Sequence, residues 1–124
     1  MIILVTNNPL VKEQYQRKYK IELLDTDLLG VLTHIRDRVH KGCKLLTHPL
    51  SGSVKPNESP YKSVLISDNT EENSQQSEIC LQSVSIIEES LQAVRKFSKK
   101  SIPEQYLNDL RIVDLSLIRS ALEK

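Results

Sequence analysis

Ile2-Ile3-Leu4-Val5-Thr6-Asn7-Asn8-Pro9 is the stretch whose reading decides the fold. Ile2 to Val5 form a short continuous apolar run, mostly β-branched, which suits a strand buried on both faces. Asn8 can cap a helix whose first position is Pro9, where a missing N–H costs nothing. That helix is predicted to run to about Lys18, with Leu10, Val11 and Tyr15 facing inward. A buried strand leading directly into a capped helix is the first half of a βαβ unit.

The following residues repeat the alternation. Lys20 to Leu24 read as a second strand, and Asp25 or Thr26 as the cap of a stronger helix. Leu28, Leu32, Ile35 and Val39 recur at helical period and form one inward stripe. Gly42 stops this helix after His40-Lys41, side chains suited to a helix C-terminus. Cys43 to Thr47 follow as a third strand and Ser63 to Ser67 as a fourth.

The pattern predicts a single α/β domain over residues 1–124. The expected form is small, three-layered and doubly wound, with a mainly parallel sheet in the order 2-1-3-4 and helices on both faces. A one-sided 1-2-3 order is the alternative. Ile79 to Phe97 should form a helix, with Cys80, Val84, Ile87, Leu91 and Val94 either packing on the sheet or forming a homodimer seam. Pro103 starts another helical piece. Its pattern falters at Arg111-Ile112-Val113, which allows a short strand or a kink before Asp114 recaps a final helix carrying Leu117, Ile118, Ala121 and Leu122.

Two segments break the periodicity. Residues 48–62, with Pro49, Pro56 and Pro60, make a connection long enough to be a functional loop. Residues 68–77 are polar and acidic and read as a surface loop.

Composition narrows the function classes. Of the 124 residues 39% are apolar and 27% charged, a globular balance, and the net charge of +1 offers no strong field for nucleic acid or membrane. No apolar run approaches the length of a membrane span and no secretory signal is visible, so a cytoplasmic location is expected. Cys43 and Cys80 fit no paired spacing and are expected to be free, buried thiols.

In an open parallel sheet, ligands sit beyond the C-terminal strand ends where strand order reverses. For order 2-1-3 that crevice lies between the first and third strands. Its expected walls are Thr6, Asn7, Asn8 and Lys12 on one side, and the loop bearing His48, Ser51, Gly52, Ser53, Lys55, Asn57, Tyr61 and Lys62 on the other. Free N–H groups at a helix start, or a nest formed by Ser51-Gly52-Ser53, would hold a small anion such as a carboxylate or phosphate. The plainer account has Asn8 capping, Asn7 making a turn, Lys12 solvated and the long loop packing on itself.

His48 is the one histidine at that edge. It could serve as an acid–base group or an anion ligand, or fix its own loop by a hydrogen bond. His34 and His40 lie across the sheet from it, so a metal site is not expected. Walker and GxSxG patterns are missing, and no cofactor is expected.

Thr6-Asn7-Asn8-Pro9, the segment His40–Ser63 (HKGCKLLTHPLSGSVKPNESPYKS) and the tail near Asp114-Leu115 resemble the GrdX family. The likeness spans nearly the whole chain. It implies a small accessory protein encoded beside glycine, sarcosine or betaine reductase components in anaerobic amino-acid-fermenting bacteria, and it assigns no catalytic residues. The expected function is therefore an accessory or binding protein of such a system, with a small anionic ligand, reductase-system proteins, or both as partners. The alternatives are a small enzyme using His48 with Ser51, Ser53 and Lys55, or a protein-interaction subunit using the helix from Ile79 to Phe97.

Overall fold

β1 (Ile2–Thr6) is a central strand whose alternate side chains enter two separate cores. A strand turns successive residues to opposite faces. Ile3 and Val5 accordingly join Val64, Ile66, Leu28, Val31, Leu32, Ile35, Val39, Ile87, Leu91 and Val94. Leu4 joins Val11, Tyr15 and Ile118 on the other side. Each fully buried aliphatic side chain contributes about 1.5–3 kcal/mol relative to exposure. The computed structural model describes residues 1–50, 58–68, 79–97 and 101–123.

The remaining elements are α1 (Pro9–Tyr15), β2 (Lys20–Leu23), α2 (Leu28–His40), β3 (Lys44–Leu45), β4 (Ser63–Ser67), α3 (Leu81–Lys96), a 3-10 turn (Glu104–Tyr106) and α4 (Leu107–Leu122). The described residues form a mixed α/β fold with one four-stranded sheet. Asn8 caps α1 by accepting from the Leu10 N–H at 3.1 Å, with Pro9 in the first turn. Asp27, not Asp25 or Thr26, caps α2 by accepting from the Gly30 N–H at 2.9 Å. Gly42 ends the α2 segment with φ 111°, a left-handed conformation that glycine adopts without a Cβ penalty.

The mainly parallel order 2-1-3-4 is corrected. The observed order is β2-β1-β4-β3, and only β1 and β2 run parallel. β4 lies between β1 and β3, antiparallel to both, with Thr6 opposite Ser63 and Leu45 opposite Ile66. The reason is in the connection. A parallel neighbour requires a crossover, usually helical, that carries the chain back to its starting rim. Residues 48–62 have no helical period; the chain leaves β3 and enters β4 at the same rim, so β4 runs the opposite way. No crevice between adjacent first and third strands can exist, because β4 fills that place.

One smaller expectation also changes. Arg111-Ile112-Val113 form neither strand nor kink, since α4 runs unbroken to Leu122. The β-branched pair weakens helix propensity only slightly, and packing overrides it. The stripe on α3 faces inward, with Ile87, Leu91 and Val94 buried and Val84 packed against the same core. Among the described residues, no helix is long and apolar enough to cross a membrane.

Candidate functional site

Thr6, Leu23 and Ser63 stand side by side at one rim of the sheet, and Asn7, Asn8, Lys62 and Asp114 are buried beside them. The Asn8 N–H donates to Thr6 Oγ1 at 3.0 Å. Thr6 Oγ1 and Ser63 Oγ are 2.7 Å apart. Ser63 directs its only proton to Asp114 Oδ2 at 2.8 Å, so Thr6 must be the donor to Ser63. Asn8 Nδ2 closes the ring by donating to Asp114 Oδ2 at 3.1 Å, and also donates to the Arg111 carbonyl at 2.8 Å. Thr6 and Asn8 are fully buried and Asp114 is 4% exposed.

Burial pushes the Asp114 carboxyl above its ordinary range, against Asn8, Ser63 and the Lys62 ammonium, which favour its charge. Burial pushes the Lys62 ammonium down, against the pull of Asp114. The opposite shifts have one origin, a low-dielectric interior that disfavours both charged forms. In this arrangement Asn8 has no spare side-chain donor; it binds the start of α1 to α4.

Asn7 performs the neighbouring task. Its Nδ2 donates to the Thr26 carbonyl at 2.9 Å and the Pro60 carbonyl at 2.7 Å, while its Oδ1 accepts from the Lys62 N–H at 2.9 Å. One side chain thus joins the β1–α1 turn to the β2–α2 turn and to the segment entering β4.

Beside Asn7 opens a cleft of about 430 Å³, within the usual range for small-molecule sites. Asn7, Thr26, Asp25, Asp27, Tyr61 and Arg111 supply its polar lining, and Pro9, Leu24, Pro60 and Leu107 its apolar walls. The Arg111 guanidinium lies over the Tyr61 ring, 5.2 Å from its centroid, within the reach of a cation–π attraction. No carboxylate pairs with Arg111 among the described residues, and its buried Nε has no hydrogen-bond partner. Thr26 reaches this wall because Gly30 on α2 has no Cβ; an added methyl would collide with the Thr26 side chain.

The residues picked out from the sequence divide between several places. Asn7 and Tyr61 line the cleft; Thr6, Asn8 and Lys62 lie behind it in the polar interior. Lys12 is exposed on α1. His48 is exposed beyond β3, outside the cleft lining, and its Nδ1 accepts from the Leu50 N–H at 3.0 Å. Ser51, Gly52, Ser53, Lys55 and Asn57 lie outside the described residues, as does the expected 68–77 loop apart from Asp68. Arg111, Asp25 and Asp27 were missed by sequence reasoning. A lone arginine between Leu110 and Ile112 is the available signal, but the residue pattern assigns it to a break before the last helix.

A second polar group joins α2 to the sheet. Arg38 pairs with Glu22 and, at 3.4 Å, with Asp68, and His34 Nε2 lies 3.0 Å from Glu22 Oε1. Burial opposes the Glu22 charge, but the hydrogen bonds from His34 and Arg38 outweigh it and hold the carboxyl below its ordinary value. Cys43 is buried and free, its thiol pushed up by burial and by Asp68. Cys80 is free but only half-buried, which corrects the expectation of two buried thiols. Hydrogen bonds from Ser83 lower its thiol from the ordinary value.

A family model described as GrdX-like protein matches residues 3–123, nearly the whole chain. No curated protein and no solved structure matches the chain significantly.

Proposed function

The chain belongs to the GrdX-like family, and on that premise we propose that it is an accessory binding protein of a glycine, sarcosine or betaine reductase system. Its rim cleft takes a small anion. The observation that carries this reading is Arg111. Arg111 is half-buried with no acid partner among the described residues, and a buried donor such as its Nε costs about 1–3 kcal/mol when left unpaired. Here the guanidinium is held on the Tyr61 ring in a cleft, with hydrogen-bonding capacity the protein leaves unused. A carboxylate or phosphate fits its fork geometry.

We place this site near the end of β1; residues 51–57 of the expected His48 loop lie outside the described residues. The cleft lies where β1 meets β2 and α4, and not between the His48 loop and β1. No observation on His48 favours the enzymatic alternative, since its Nδ1 is engaged by its own loop. The binding reading is therefore preferred.

The test is titration of the isotope-labelled protein with acetate and inorganic phosphate, followed by amide chemical shifts, with Arg111→Ala as the comparison. Saturable shifts at Asn7, Tyr61 and Arg111 that vanish in the variant are expected. Shifts that persist unchanged in the variant, or flat spectra with every carboxylate and phosphate tried, would remove the anion site. Co-purification with the reductase components tests the accessory role separately.

A further inference from the structure

Resting on the anion reading of the same cleft, we propose that its ligand is a zwitterion with a hydrocarbon body: an amino acid with an apolar side chain, its carboxylate on Arg111 and its ammonium on Asp25. Both charges line the cleft. Neither belongs to any ion pair among the described residues, and the two are not within salt-bridge distance of each other. Opposite charges that line one cleft without pairing give it a positive and a negative contact point.

That pair of charges discriminates between ligand classes. A simple anion attracted to Arg111 is repelled by Asp25, and by Asp27 at the start of α2. A simple cation meets the reverse conflict. A molecule with both charges makes both interactions favourable, and complementary charges set specificity more than gross affinity. The walls add the third feature. Pro9, Leu24, Pro60 and Leu107 offer apolar surface, and about 430 Å³ leaves room for more than two charged groups. Burying a hydrocarbon side chain there is favourable.

The experiment is calorimetric titration of the full chain with five probes: leucine, glycine, 4-methylpentanoate, isopentylamine and inorganic phosphate. Leucine is expected to bind at least about tenfold more tightly than each of the others. Asp25→Asn should lower leucine affinity to that of 4-methylpentanoate while leaving 4-methylpentanoate binding unchanged or stronger. Asp25 is exposed and caps nothing, so this variant retains the fold. If 4-methylpentanoate or phosphate binds as tightly as leucine, the zwitterion is overturned while the anion site stands. Glycine equal to leucine would overturn the hydrocarbon-body part. If isopentylamine matches leucine, or if none of the five binds, the zwitterion and the Arg111 anion site fall together.

Discussion

Asn8 and Asp114, separated by 106 positions, are joined by a 3.1 Å hydrogen bond from the Asn8 amide to the Asp114 carboxylate. Arg111 lies one helical turn before Asp114, and its carbonyl accepts from the same amide nitrogen. The side chain that caps α1 therefore also sets where α4 docks and where Arg111 enters the cleft.

Asn8→Ala removes the α1 cap and two donors to α4. The expected cost is about 2–4 kcal/mol in chemical denaturation, combining a lost cap with buried acceptors left unpaired. Asn8→Asp keeps a cap but places a second carboxylate against Asp114. It should be markedly less stable at neutral pH than in mild acid, where one of the pair is protonated. An Asn8→Asp variant equally stable at both pH values would mean that the two side chains do not meet.

Asn7→Ala takes away two donors and one acceptor that hold three chain segments together. A loss of about 1–3 kcal/mol is expected. Amide exchange should accelerate at Leu24–Asp27 and Pro60–Lys62, but not at α3. Uniform acceleration would show that Asn7 supports the whole fold and not the cleft.

Glu22 gives a pH dependence. Its carboxyl is held below the ordinary 4.5 in the folded protein. The unfolded chain then takes up the proton first, so this contribution is fully present above about pH 4.5 and fades as pH falls through the folded value. Glu22→Gln should cost about 1–3 kcal/mol at pH 7, since Arg38 is left without its nearer acid. The gap between the two proteins should narrow in acid. A gap that is constant down to pH 3 would contradict the assigned role.

Gly30→Ala reverses a familiar expectation. Replacing a helical glycine by alanine ordinarily stabilises by about 1 kcal/mol. Here the new methyl would strike the Thr26 side chain, which lines the cleft. No gain in stability is expected, and amide shifts should change at Thr26 and Asn7. A gain near 1 kcal/mol without those shifts would show that Thr26 turns aside freely.

The local elements could be read from the chain because their causes are local. Asn8-Pro9 marks a capped helix start by its residue types alone, and the Leu28, Leu32, Ile35, Val39 stripe marks α2 by its spacing. Ser63–Ser67 was identified with its observed bounds from an apolar run. The direction of β4 could also have been inferred from the missing crossover helix before it. Arg111 was misread because the β-branched pair after it weakens the helical pattern, and nothing nearby in sequence indicates that Tyr61 will lie beneath it.

By itself the sequence determined the four strands and the helices α1, α2 and α3 in their observed order along the chain. Periodicity and capping act over a few residues and leave a direct trace in residue order. Only the tertiary structure decided that β4 enters beside β1, that Asp114 meets Asn8, and that Arg111 and Asp25 line one cleft. These are pairings between distant segments, chosen by which packing buries the most apolar surface while leaving the fewest polar groups unpaired, and that choice is made over the whole chain at once.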